Sequence, residues 1–316
     1  MSNVHPGFGI NVVIKHENKD SLKKYIEVLQ SIQVEWIRLE LNFFKPISDD
    51  ILSFFITEVH KVGIKILGLL TGLVPGTMIN SVYPSLKYKN PLDDIENYLL
   101  YVEKNVIQFK NYIQYWEIWN EANTLRFWIK KPNPNDYFKL VKETSPLIKK
   151  ISPNSIILLG GIMSDDLHSY APFQKIKFLR NCLDLGIDDY IDIYNFHPYI
   201  PACYFSLNKV NHYESEIKKA IDGYLNFYSD ISKPHWITEF GICPMWVKIN
   251  QSEIGRLYRS FYEFSRQREI PFFIWTLTDF DDPEYSKLNP ETSFGIVDFE
   301  LKPKELLISL NKSFLT

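Results

Sequence analysis

Short apolar runs alternate with longer amphipathic runs from one end of the chain to the other, and this alternation limits the fold more than any other feature. Phe8–Ile14, Trp36–Leu41, Ile64–Leu70, Tyr115–Trp119, Ile156–Gly160, Ile191–Phe196, His235–Thr238 and Phe272–Thr276 have the length and the branched or aromatic content of strands. Several, such as Ile64-Lys-Ile-Leu-Gly-Leu-Leu and Ile156-Ile-Leu-Leu, are apolar on both faces, as strands of a parallel sheet covered by helices are. Between them, Ser21–Ser31, Asp49–Val62, Asp93–Phe109, Asp136–Ile151, Gln174–Leu185, Glu214–Tyr228 and Ser252–Glu269 repeat their apolar residues with a helical period, and Pro303–Leu310 opens on a proline suited to a first turn. Ser48 or Asp49 is placed to cap the second helix and Gly63 to end it.

Eight strands, each followed by a helix, predict a (β/α)8 TIM barrel. The rival is a doubly wound open sheet, which needs a glycine-rich turn after its first strand. Gly7-Phe-Gly9 comes before that strand and lacks the third glycine. No linker or shift of composition divides the chain, so residues 1–316 are expected to be one barrel domain, with its active site at the C-terminal ends of the strands.

Composition narrows the function. A formal net charge of −3 over 316 residues, with no basic patch interleaved with aromatics, gives nucleic acid or an anionic membrane little to hold. The longest apolar stretch, Lys65 to Val74, is broken by glycines and falls short of the ~20 residues of a membrane span. The start of the chain shows no secretory signal, which at face value places it in the cytoplasm. Cys182, Cys203 and Cys243 are odd in number, far apart and expected to be free thiols. No His-Glu-x-x-His, zinc-spaced Cys/His cluster, calcium loop or Gly-x-Ser-x-Gly elbow occurs, so no metal or cofactor is expected. Aromatic residues make up 15% of the chain; most fill a core, and some Trp and Tyr are expected to line a cleft for a ligand with an apolar face, such as a sugar ring.

Two strand ends carry the chemistry. The fourth runs Trp116-Glu-Ile-Trp-Asn120-Glu121 and the seventh Trp236-Ile-Thr-Glu239-Phe-Gly, so each apolar strand ends in a carboxylate. Such a group is costly to place there without a purpose, although a turn cap is the plain alternative. On strands four and seven the two would face each other across the barrel mouth. Paired carboxyl groups divide the work of glycosidic cleavage, one protonating the leaving oxygen and the other attacking the anomeric carbon.

These two segments resemble the signature strands of the clan A glycosidases, and the chain looks most like the family 39 type, including its exopolysaccharide-degrading members. The likeness extends to Ile37-Arg38-Leu on the second strand, Asp192-Ile-Tyr-Asn-Phe-His197-Pro-Tyr199 on the sixth, Ile274-Trp275 on the eighth, and Phe294-Gly-Ile-Val-Asp before the last helix. It implies a barrel, net retention, Glu121 as acid/base and Glu239 as nucleophile. Two positions depart from the pattern. Ala122 stands where proline is common, and the third strand ends Gly68-Leu-Leu-Thr-Gly without the polar histidine of many relatives.

The supporting residues each have a functional and a plain reading. Arg38 needs a carboxylate partner, either Glu239 or a structural pair with Glu40 or Glu117. Asn120 either donates to a sugar 2-hydroxyl or shapes a turn. His197 orients Glu121, binds a hydroxyl, or is a structural histidine. Tyr199 bonds Glu239 or packs in its loop. Trp275 stacks under the sugar or belongs to the barrel core. Trp128 and Trp246, in loops after the catalytic strands, are platforms for neighbouring sugars or surface packing, whereas Trp36, Trp116 and Trp236 are expected in the core. Asp279, Asp281 and Asp282 read as a solvated turn.

The expected partner is thus an oligo- or polysaccharide, and the oligomeric state is open. The alternatives are a glycan-binding barrel that does not cut, a transglycosidase with the same residues, and an aldolase-type barrel using Lys65. Residues 72–91, 201–211, 243–250 and 278–291 are long, aromatic-bearing loops that would wall a cleft for internal cutting.

Overall fold

The computed structural model describes residues 7–72, 91–124, 127–128, 131–163, 173–199, 210–244, 249–281 and 292–314. In chain order its strands are β1 (Phe8–Val12), β2 (Trp36–Asn42), β3 (Lys65–Thr71), β4 (Tyr115–Ile118), β5 (Ile156–Leu159), β6 (Ile162–Met163), β7 (Tyr194–His197), β8 (His235–Phe240) and β9 (Phe272–Ile274). The helices are α1 (Lys19–Ser31), α2 (Asp49–Lys61), α3 (Ile95–Phe109), α4 (Pro134–Ile151), α5 (Phe173–Asp184), α6 (Val210–Phe227), α7 (Gln251–Arg266) and α8 (Glu305–Phe314).

All paired strands run parallel, in the order β5-β4-β3-β2-β1-β9-β8-β7-β6. The two ends of that order, β5 and β6, are separated in the chain only by Gly160-Gly161, and Leu158 bridges Ile193 in parallel, so the sheet closes into a ring. β5 and β6 are therefore two halves of one barrel strand, and the expected (β/α)8 barrel is the fold observed. Both residues of the break have room only for glycine. A Cβ at Gly160 would lie 2.5 Å from the Ile118 carbonyl oxygen, and one at Gly161 would lie 2.1 Å from His197 Nε2.

Strand period two divides the side chains between two cores. One core is the mantle between barrel wall and helices, including Ile10, Ile37, Leu39, Ile66, Leu70, Trp116, Ile118 and Phe196. The other fills the bottom of the barrel: Trp36, Leu67, Leu158, Ile193, Trp236 and Phe273, with Tyr115 and Ile156 against them. There Trp36 meets Tyr115 and Trp236 edge-on at 4.8 and 5.2 Å, and Trp236 stacks on Tyr115 at 5.6 Å and on Phe273 at 6.0 Å. This aromatic plug closes the N-terminal end. Polar side chains are left for the layers above it, where the strands end.

Helix starts differ slightly from the sequence reading. α1 begins two residues earlier, because Asn18 Oδ1 accepts from Ser21 N and caps it. Ser48 stands at the N-cap of α2 without a capping bond from its side chain, leaving Asp49 and Asp50 to favour that end by charge. Among the described residues Cys182 and Cys243 are free and buried, and Cys203 lies outside them. No helix of the described residues is long and apolar enough to cross a membrane.

Candidate active site

Two local irregularities aim the paired carboxyl groups inward. In β8 the register with β9 shifts between Ile237 and Phe240. A regular strand would send neighbours Thr238 and Glu239 to opposite faces. The irregularity lets both face the barrel interior: Thr238 Oγ1 meets Asn195 Nδ2 at 2.8 Å and His197 Nε2 at 3.1 Å, while Glu239 accepts from Arg38 and Tyr199. After β4 the chain turns through two left-handed residues, Trp119 at φ 68° and Glu121 at φ 41°. Each such conformation costs about 1–3 kcal/mol in a non-glycine residue. The turn is held by Glu121 N donating to the Gly161 carbonyl at 2.9 Å and by Thr124 N donating to the Glu121 carbonyl at 2.8 Å.

One oxygen of Glu121, one of Glu239 and a ring nitrogen of His197 all lie within 4.8 Å of one another. Glu121 is the more enclosed, its side chain 2% exposed against 11% for Glu239. The same three residues have metal-ligand spacing, and His197 Nδ1 meets Glu121 Oε1 at 2.7 Å.

Arg38 is the hub beneath the pair. Its Nη1 donates to Glu239 Oε2 at 3.0 Å and to Asn11 Oδ1 at 2.8 Å, and its Nη2 donates to Asn120 Oδ1 at 2.6 Å. Its Nε and Nη2 also clasp Glu117 at 2.7 and 2.8 Å. The two readings of Arg38 are thus both realised: it bonds Glu239 and, bidentately, Glu117. Burial opposes the charge on Arg38, but Glu117, with Glu239 and Glu121, outweighs it and raises the guanidinium pKa, so the group stays a cation.

His197 is fully enclosed. Burial is the largest influence on its ring and pushes the pKa down to about 4, with Arg38 acting in the same direction against the pull of Glu239. The ring is therefore neutral near pH 7. Tyr199 donates its hydroxyl to Glu239 Oε1 at 3.0 Å.

Above this network lies a pocket lined by Arg38, Glu40, Leu69, Thr71, Asn120, Phe127, Glu239, Trp275 and Phe280. Trp275 is half-buried and stacked with Phe280, ring centres 6.2 Å apart. Trp128 does not match the platform reading: only 1% exposed, it packs edge-on against Trp119 and Tyr137 in the mantle core. The chain after Glu121 folds back onto the barrel wall rather than projecting as a loop, which leaves that indole no open face. Trp246 lies outside the described residues, as do most of the long loops expected to wall a cleft. Asp279 is not part of a solvated turn. It is buried, pairs with Lys304 at 2.5 Å and accepts from Gly295 N at 2.7 Å. Lys65 sits at the plugged end of the barrel, 2.7 Å from Glu35 and 5.0 Å above Trp36, far from any position for Schiff-base chemistry at the strand ends.

Sequence reading passed over several residues of the site. Asn11 bridges Arg38 to the Thr238 and Ile274 carbonyls, and Asn195 ties Thr238 to β7. Their signal was available: Asn11 is the one polar side chain inside an apolar strand, and Asn195 precedes His197 by two residues and so shares its face.

A parallel (β/α)8 barrel is the architecture of the clan A glycoside hydrolases. The model of the cellulase family, glycosyl hydrolase family 5, matches residues 88–281, a stretch holding Glu121, His197, Glu239 and Trp275, and the chain belongs to that family. No curated protein matches it. Among solved structures it is similar to a family 39 glycoside hydrolase from Bacteroides cellulosilyticus WH2, with 21% identity and a TM-score of 0.64 over 97% of this chain and 63% of that one. It is similar to the hyperthermostable endo-1,4-β-D-mannanase of Thermotoga petrophila RKU-1, with 16% identity and a TM-score of 0.64 over 98% and 99% of the two chains. A β-glucuronidase of Faecalibacterium prausnitzii is 14% identical with a TM-score of 0.67, over 99% of this chain and 49% of that one. The expected family 39 likeness is thus found in the fold.

Proposed function

We propose that this single barrel domain cleaves an oligo- or polysaccharide by double displacement, with Glu239 as nucleophile and Glu121 as acid/base. The observation that carries the reading is the approach of the two carboxyl groups to within 4.8 Å. Carboxyl groups of retaining glycosidases stand about 5–5.5 Å apart, whereas inversion needs roughly 6.5–9.5 Å to admit a water between them.

In the first step Glu239 attacks the anomeric carbon while the Glu121 proton passes to the departing glycosidic oxygen. In the second, Glu121 takes a proton from water, the water oxygen bonds the anomeric carbon, and Glu239 leaves as the free carboxylate. The surrounding groups suit this division. Arg38 and Tyr199 both donate to Glu239, which favours its ionised form. Glu121 has neutral His197 against Oε1. An imidazolium there would hold Glu121 ionised, whereas a neutral ring orients the acid without drawing off its proton. Arg38 occupies the Asn120 oxygen, which leaves the amide NH2 as the end able to donate to a sugar 2-hydroxyl. The half-buried Trp275 offers the reacting sugar an apolar face.

The test is a glycan-library screen of wild type against Glu239→Gln. Cleavage by the first alone is expected, and equal cleavage by both would remove Glu239 from its role. The named activities of the similar structures, a mannanase and a glucuronidase, span neutral and acidic sugars, so likeness of fold does not choose the substrate.

A further inference from the structure

On β2 the side chains of Arg38, Glu40 and Asn42 follow one another at period two along the inner face of the barrel. Arg38 goes to Glu117 and Glu239, as described above. Glu40 goes elsewhere: it lines the pocket, with Asn42 Nδ2 donating to its Oε1 at 3.1 Å. Asn42 is itself fixed, its Oδ1 accepting from the backbone N–H of Phe44 at 3.0 Å and of Lys45 at 3.1 Å. The carboxylate is therefore held in place rather than swinging in solvent.

Diagonally across the strand pair stands Thr71, at the end of β3 in register with Asn42. Thr71 also lines the pocket. It is buried, and its hydroxyl has no hydrogen-bond partner in the protein. A buried hydroxyl without a partner costs about 1–3 kcal/mol unless something else satisfies it. A ligand in the pocket would do so.

We propose that Glu40 and Thr71 form the recognition wall for the sugar whose bond is cut, and that they select an uncharged pyranose over a uronate. This rests on the double-displacement reading of the same site. The Glu40 carboxylate offers acceptors, and Thr71 both accepts and donates, so together they match the hydroxyl groups of a neutral sugar. A sugar carboxylate in this pocket would lie beside both Glu40 and Glu239, and the Arg38 guanidinium that lines it is shared between Glu117 and Glu239. On the Phe280 side, Lys15 Nζ donates to the Thr278 and Asp279 carbonyls at 2.6 and 2.9 Å and lies 3.4 Å above the Phe280 ring.

The experiment measures cleavage of matched pairs by wild type, Glu40→Gln, Thr71→Val and Glu239→Gln: aryl β-glucoside with β-glucuronide, aryl β-galactoside with β-galacturonide, and mannan with polymannuronate. Thermal melting confirms that each variant is folded. Wild type is expected to favour the neutral member by at least about a hundredfold, Glu40→Gln to shrink that ratio by about tenfold or more, and Thr71→Val to raise KM about threefold at little change in kcat. A wild-type preference for the uronate, or a ratio unmoved by Glu40→Gln, overturns the proposal. Glu239→Gln separates the two levels of the reading. Undiminished cleavage by that variant defeats double displacement through Glu239 itself, whereas an inactive Glu239→Gln with an unmoved neutral-to-uronate ratio defeats only the recognition wall.

Discussion

Arg38 shows how one side chain ties the catalytic layer together, because its donors reach Asn11, Glu117, Asn120 and Glu239 in one buried cluster. Removing one member of a buried ion pair leaves the other charged and unsolvated, at a cost of about 3–5 kcal/mol. Arg38→Met is therefore expected to lower unfolding free energy by about that amount in denaturant melts and to abolish cleavage; a variant as stable as wild type would mean the network is not held by this charge. His197 carries a pH signature. Its pKa is about 4 in the fold, below the usual 6.5, so the unfolded chain binds the extra proton first as pH falls. The stability from keeping the ring neutral is complete above about pH 6.5 and is lost as pH drops toward 4. Melting temperature should fall across that window more steeply in wild type than in His197→Gln, and parallel curves would contradict the buried neutral ring. At this scale the sequence was readable where chemistry left a mark: Glu121 and Glu239 are carboxylates ending apolar strands, and Arg38 is a cation within one. It was unreadable where packing decides. Nothing in the residues around Trp128 says that the chain turns back and buries it, and the choice of Arg38 between Glu40 and Glu117 depends on which strand stands opposite.

Among the elements, β8 and the β5–β6 break do the aiming. The irregular register of β8 sends two consecutive side chains inward, and the double-glycine gap leaves room for His197 beside Glu121. The gap can be tested alone. A methyl group at residue 161 would fall 2.1 Å from His197 Nε2, so Gly161→Ala must displace the ring that orients Glu121. A fall in kcat/KM of about a hundredfold at unchanged far-ultraviolet circular dichroism is expected, consistent with the loss that ~1 Å of misplacement produces. Activity within a factor of two would show that the ring position is not needed. Element order and type were legible because every strand is apolar and every helix amphipathic. The register shift and the split strand were not, since each depends on which atoms lie across from a residue rather than beside it.

For the whole molecule, the barrel divides into a dry aromatic plug below and a charged layer above. The plug explains why Trp36 and Trp236 stand at the first and second positions of their strands, a placement the sequence suggested as core without showing that they share a different core from Trp116. Trp236→Ala should cost about 3–5 kcal/mol of unfolding free energy, read from denaturant melts, while leaving the KM of the folded enzyme near wild type. A large change in KM at intact stability would mean the bottom of the barrel and the pocket are not mechanically separate. The central claim, that carboxyl groups 121 and 239 serve a single anomeric centre, is tested most directly by trapping the enzyme with a 2-deoxy-2-fluoroglycosyl fluoride of the sugar it cleaves and mapping the adduct by peptide mass spectrometry. Double displacement predicts one glycosyl group esterified to Glu239 in wild type and in Glu121→Ala. An adduct on any other residue, or none while the natural substrate is still turned over, would contradict it.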